Sequence, residues 1–455
     1  MAPSAALHRR LCCVVAITKA CAALGPPRAS RVVRLRVVRA ASSDAASSDA
    51  ASSDAASSAA TSTDGPPRRR GAYGTASAAA LVAGTTVGGG FLGLPAVAAP
   101  AGFGPTALTL SASWLFLLAE ALVVAEAVGR CRGPKAAAPS VAVVAAEAGV
   151  PANAIRGLFF ALVTATLASQ LSKAGSMLAG LPYRAATLAA AAATLAFALG
   201  PSVERAAGAN ALLTAVFAAA AVAVGGGAAA AARGGALPFD ASLLLRSGDA
   251  SAARQALPTV LQLLVFAETV PTVSGLLDGD PRRVRLALAF GSLCPLLLEV
   301  AWAYLGLGLG APRVDPVDVL LAAPPTRAAT AALAASAVAT TALGSALALR
   351  SDVPEAVARR KLAALLAALP AVAVALTSPD VFFAAMDWAG AYPVALLWGL
   401  FPPVALLRLR RKTQSAYPKS AGPDAWLATL AAVSGLFVAS TATRDLGALV
   451  RRFVS

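Results

Sequence analysis

The chain has 455 residues, 58% of them hydrophobic and 13% charged, with a mean hydropathy of +0.71 and a formal net charge of +16. That balance excludes an array of soluble domains and places the chain among proteins that cross a membrane many times. The basic residues gather in the N-terminal segment and in loops, without interleaved aromatics, so they point to membrane topology and not to a nucleic-acid partner.

Residues 1–70 stand apart. Up to Ser43 there are eight Lys/Arg and no acidic residue, and the low-complexity run "ASSDAASSDAASSDAASSAATSTDGPPRRR" follows. A basic, Ser/Ala-rich start reads as an organelle transit peptide, with the repeat as a disordered linker. "LCCVVAITKACAALG" could instead be the apolar region of a signal peptide, although Lys19 interrupts it. Residues 71–455 then form one multipass domain. His8, the only histidine, and Cys12, Cys13 and Cys21 all lie in the N-terminal segment, leaving Cys131 and Cys294 far apart. A zinc site, a Ser/His/Asp triad or a histidine proton relay is therefore excluded from the main body, and neither cofactor nor enzyme activity is expected.

Windows of about 20 apolar residues mark eleven transmembrane helices. The first five run over about 75–99, 103–128, 154–180, 183–200 and 208–232, and the next five over about 255–277, 284–309, 327–349, 361–378 and 386–408; the last covers about 424–443. A short apolar run near Val141 carries Glu147 and reads as an interfacial helix. The loops on one side hold about twenty Lys/Arg, including "GRCRGPK", "DPRRVR" and "RLRRKTQSAYPK", and those on the other about half as many. This bias puts the N-terminus on the positive-inside face and the C-terminus opposite.

Within the first span, "AGTTVGGGFLGLP" (Ala83 to Pro95) breaks the regularity. Gly88, Gly90 and Gly93 spell G-x-G-x-x-G, but no strand precedes them and the first carboxylate that follows is Glu120, so a dinucleotide site is rejected. Gly84 and Gly88 also form GxxxG, which close helix packing alone would explain. Two threonines, three successive glycines and Pro95 exceed what packing requires, and the segment is read as a break in a membrane helix. Its counterpart is the sixth span, "ALPTVLQLLVFAETVPTVSGLLDGD", with Glu268, Thr269, Pro271 and Thr272 in the middle. Two interrupted helices at matching places in two halves point to a transport site on an inverted repeat.

Glu268 is the sharper signal, because a mid-membrane carboxylate costs about 3 kcal/mol or more unless paired, hydrated or protonated. The competing reading is an acid that merely satisfies the freed backbone of its own helix. Glu120 and Glu299 read as gates or packing bridges, and Glu126, near a loop, as a solvated carboxylate. Gln170, Ser172 and Lys173 in the third span and Thr340, Thr341 and Ser345 in the eighth could face a cavity; each alone is more often an interhelical hydrogen bond or a snorkelling lysine.

Taken together these stretches resemble the aromatic amino acid permeases, the tyrosine- and tryptophan-specific transport proteins. "AGTTVGGGFLGLP" is similar to that family's first-helix pattern G-T-x-x-G-x-G-x-x-x-L-P. "LPTVLQLLVFAETVP" with "LDGDPRRVRLALAFGSLCPLLLEVAW" resembles its sixth and seventh helices, and "TTALGSALAL" and "SPDVFFAAMDWAGAYPVALLWGLFPPVALL" its eighth to tenth. The resemblance implies the leucine-transporter fold, all α, with five plus five helices in inverted repeat, broken first and sixth helices and an eleventh helix. It further implies secondary transport of an aromatic amino acid, usually with a proton, and organellar members in plants and algae fit a plastid membrane; another organelle or the plasma membrane is the alternative. Substrate contact then falls on Gly84, Thr85, Thr86, Gly88, Gly89, Gly90, Ala267, Glu268, Thr269 and Val270. Ion coupling falls on Glu268, with Thr340 and Thr341 in a sodium-coupled alternative. Relatives often have a His-Asn type pair where this chain has Ala267 and Glu268. A membrane-embedded enzyme and a channel or scaffold are the remaining alternatives.

Overall fold

A computed structural model describes residues 74–132, 139–178, 180–200, 203–245, 248–310, 314–352, 360–412, 415 and 417–454. The expected transit peptide and linker lie outside the described residues.

The regular elements among the described residues are all helical, in the order α1 (Thr75–Thr86), a 3-10 turn (Gly89–Gly93), α2 (Leu94–Ala98), α3 (Phe103–Cys131), α4 (Val141–Glu147), α5 (Ala152–Met177), α6 (Tyr183–Leu199) and α7 (Val203–Arg233). It continues with α8 (Ala250–Leu264), a 3-10 turn (Ala267–Thr269), α9 (Val270–Leu276), α10 (Pro281–Gly308), α11 (Pro316–Ala322) and α12 (Pro324–Asp352). The last elements are α13 (Arg360–Ala375), α14 (Val381–Ala389), a π-helical stretch (Gly390–Leu400), α15 (Phe401–Lys412) and α16 (Asp424–Val454). Among the described residues, eight helical stretches are long and apolar enough to cross a bilayer, and α1 with the Gly89–Ala98 segment adds a pair bent by 46°. Tyr183–Leu199 and Lys361–Ala375 are apolar but shorter. Among the described residues, the eleven expected spans correspond in position to eight long helices, one bent pair and two shorter apolar helices.

Local chemistry explains where elements start and bend. Asp280 and Asp315 each precede a proline at the first helical position, and each carboxylate accepts from amides of the opening turn, Asp280 from Arg282 and Arg283 and Asp315 from Val317. The π-helical stretch contains Pro393, whose missing N–H and bulky ring favour a wider turn. Gly390 at its start sits against the Pro258 carbonyl of α8, so no side chain fits there.

Lipid tails give helices no hydrophobic reason to associate, so close packing must hold the bundle together. Alanines supply it: Ala78, Ala121, Ala165, Ala168 and Ala337 are fully buried at the contacts. α12 packs along α5 and α7, α10 along α1 and α3, and α14 against α5 and α8. The two interrupted helices therefore lie inside the bundle, walled by α3, α5, α10, α12 and α14.

Candidate functional site

α1 ends at Thr86, and Val87 is extended (φ −76°, ψ 120°) before the 3-10 turn begins at Gly89. Half a chain away α8 ends at Leu264, Val265 is again extended (φ −68°, ψ 129°), and a second 3-10 turn leads into α9. Both segments expected to be broken are broken, at the glycines in one and just before Glu268 in the other. Each break presents the carbonyl end of one half-helix and the amide end of the next at the same depth.

The two breaks meet at one cavity of about 490 Å³, within the size range of small-molecule sites. Gly84, Thr85, Thr86, Gly88 and Gly90 line it from the first break, Glu268 and Thr272 from the second, and Thr340, Thr341 and Ser345 from α12. Gln170 of α5, also expected from sequence, lines it as well. Phe159 and Asn210, near the starts of α5 and α7, and Ala348, near the end of α12, place its mouth toward the end of the bundle that carries the basic loops. Toward the other end the rings of Phe91 and Phe382 are buried, and Lys173 lies over Phe382 and 3.7 Å from Asp315.

Among the described residues that line the cavity Glu268 is the only ionisable one, and its exposed side chain opens on it. Opposite it the polar groups are neutral. Thr341 accepts from the Gly89 amide at 2.8 Å while donating to the Ala337 carbonyl at 3.0 Å, which fastens the first break to α12. Thr340 is 3.2 Å from Asn210 Oδ1, and Gln262 donates to Thr166 at 3.1 Å. Among the described residues no hydrogen bond engages the amides of Gly88 and Gly90, leaving two donors at the amide end of a half-helix. The site can therefore take an anionic group on backbone amides, a cationic group near Glu268 and carbonyl ends, and an apolar body against Phe159, Leu162 and Met386.

The glycines have a second duty, the packing role weighed above as an alternative. A Cβ on Gly88 would run into the Thr341 hydroxyl, and one on Gly89 into Gln170 Oε1 and, at 2.9 Å, the Val338 backbone. One on Gly90 would stand 2.7 Å from Leu263 and 2.8 Å from Met386. Packing and break coexist, because the unwound backbone is gripped by four helices.

Some expected site residues lie elsewhere. Gly89 is buried behind the cavity wall, and Ala267, Thr269 and Val270 are buried in the packed interior, since the second 3-10 turn directs only Glu268 outward. Ser172 donates to the Pro379 carbonyl at 2.9 Å instead of facing the cavity, and Lys173 pairs with Asp315. Glu126 overturns its expectation most clearly. It is not solvated but fully buried: Arg130 Nε and Arg410 Nε donate to Oε1 at 2.8 Å, and Arg410 Nη2 at 2.6 Å and the Ala421 amide at 2.9 Å to Oε2. The reason is tertiary, since α15 and the segment leading into α16 close over the end of α3. Asn210, Gln262 and Thr166 were missed as lining residues; their only sequence signal is an isolated amide or hydroxyl in an apolar run.

Residues 73–442 match the model of the tryptophan/tyrosine permease family. No curated protein matches the chain.

Proposed function

Because this chain belongs to the tryptophan/tyrosine permease family, we propose that it is a secondary transporter of aromatic amino acids, coupled to protons, in an organellar and specifically a plastid membrane. Its architecture in this reading is eleven spans in a five-plus-five inverted repeat. The observation that carries it is the single cavity at which two breaks meet, lined by free backbone amides and one carboxylate. A zwitterionic substrate sets its carboxylate on the amides of Gly88 and Gly90 and its ammonium toward Glu268 and the carbonyl end of α1, with the ring against Phe159, Leu162 and Met386. A zwitterion adds no net charge, so the charge of Glu268 stays to be neutralised, and a proton does that with the least loss of volume. Rocking of the two repeats then exposes the site to either side.

Uptake of labelled tyrosine, tryptophan and leucine into proteoliposomes, with and without a pH gradient, tests the reading. Glu268→Gln should abolish accumulation driven by pH while leaving exchange measurable. Unchanged pH dependence would remove Glu268 from coupling.

A sodium-coupled reading draws on the oxygens of Thr340, Thr341 and Asn210 close to the carbonyl end of α1. Uptake that follows sodium and ignores the pH gradient would favour it.

A further inference from the structure

A second concavity lies apart from the two breaks. It is a groove of about 550 Å³, walled by the first half of α3 and by α8, with the π-helical stretch and α16 across from them. Small side chains hollow it: Ala112 of α3, Ala253 of α8, Ala395 of the π-helical stretch and Ser434 of α16 leave room that larger residues would fill. Leu108 and Phe116 of α3 and Phe437 of α16 add apolar wall, and Leu108 and Ala112 are exposed.

The groove has a surface end and an inner end. The starts of α3 and α8 are tied together, since the Asp249 amide donates to the Pro100 carbonyl at 3.3 Å and Gly248 lies against the Ala101 carbonyl. Pro105, Ala250 and Arg254 line the groove next to that tie, and Phe116 and Leu261 line it furthest from the tie. Pro105 to Phe116 covers about 16 Å along α3, roughly half of the ~30 Å of hydrocarbon in a bilayer. The groove is therefore one leaflet deep, in the leaflet opposite the basic loops.

Arg254 is the only charged residue among those lining the groove, and it is exposed one turn into α8. Among the described residues it makes no hydrogen bond or ion pair. Other arginines at this end differ: Arg233 donates to the Ala229 carbonyl at 3.1 Å and Arg327 to the Leu321 carbonyl at 2.9 Å. Asp249, whose field reaches Arg254, caps α8 by accepting from the Ser251 amide at 2.7 Å and also takes the Ser251 hydroxyl. A guanidinium at the surface end of an apolar slot one leaflet deep suits an amphiphile with a negative head and a long tail. A second copy of the chain seated here about a two-fold axis would bring another Arg254 to the same face in place of an anion.

We infer that this groove binds an acyl chain of an anionic phospholipid, whose net negative headgroup pairs with Arg254. The site is separate from the central cavity and does not depend on which substrate that cavity takes.

Photolabelling of the full chain in nanodiscs tests it, with phosphatidylglycerol or phosphatidylcholine carrying a diazirine in the acyl chain at equal mole fraction. Label should concentrate on residues 105–116, 250–261 and 433–437, about fivefold more from phosphatidylglycerol, the worth of one basic residue near the surface. Arg254→Gln should make the two lipids label equally, and Arg254→Lys should keep the preference. Ala112→Phe, at an exposed position that fills the slot, should remove the label from both lipids. Should that variant not be recovered folded, the two Arg254 substitutions, which touch no packed contact, still decide the matter. Label spread evenly over the lipid-facing sides of α6 and α7, or a phosphatidylglycerol preference that survives Arg254→Gln, would overturn the inference. So would a dimer in native mass spectrometry that Ala112→Phe dissociates, since the groove would then hold a second copy.

Discussion

The end of α3 and the break after α1 are held in place by opposite means. At the end of α3, Glu126 receives four hydrogen bonds from three residues, and Arg410 bridges onward to Asp424 at 2.7 Å. At the break no charge is used; glycines let four helices close on the bare backbone, and one hydroxyl bonds it. A charge buried near the membrane is stable only when every lone pair finds a donor, so the first region depends on its partners and tolerates little loss. The second depends on shape, and that leaves amides of the break free for a ligand.

Removing a partner in the charged cluster should have the largest effect. Glu126→Ala or Arg410→Ala leaves the other charge buried and should destabilise the protein by about 3–5 kcal/mol, measured as thermal unfolding in detergent. Replacing both by apolar residues of similar size should recover part of the loss. A native-like melting point for Glu126→Ala would erase the contrast between the regions. Next comes Gly89→Ala, whose Cβ meets the backbone of α12; overpacking of this kind costs about 1–3 kcal/mol and should lower uptake more than ten-fold while the protein stays folded. Thr341→Val should have the smallest effect, removing one hydrogen bond worth about 1 kcal/mol. Substrate affinity should fall several-fold in a binding assay with little change in stability.

Hydropathy and turn chemistry are local properties, and they carried much of the architecture. A run with three successive glycines, two threonines and a proline cannot continue a regular helix whatever surrounds it, and "FAETVP" signals its break through a carboxylate and a proline. Both breaks appear where the sequence puts them. The site itself was legible in part. Gly84 to Gly88, Gly90, Glu268, Thr340 and Thr341 line one cavity, whereas Ala267, Thr269 and Val270, neighbours of Glu268 in the chain, turn away from it. A 3-10 turn of three residues sends successive side chains in different directions, and no pattern of residue types reveals which one faces the cavity.

By itself, then, the amino-acid sequence determined that the chain is a membrane-crossing helical protein with two interrupted helices half a chain apart, because span length and helix breaking depend on neighbours in the chain. Tertiary structure alone decided which polar groups share a cavity and which are consumed in holding the bundle. Gln170 and Ser172 are two residues apart, yet one faces the cavity and the other bonds the segment before α14. Glu126 looked exposed until Arg410, 284 residues later, closed over it. A hydrogen bond needs its partner within about 3 Å, and for these side chains only the packing of distant helices supplies or withholds that partner.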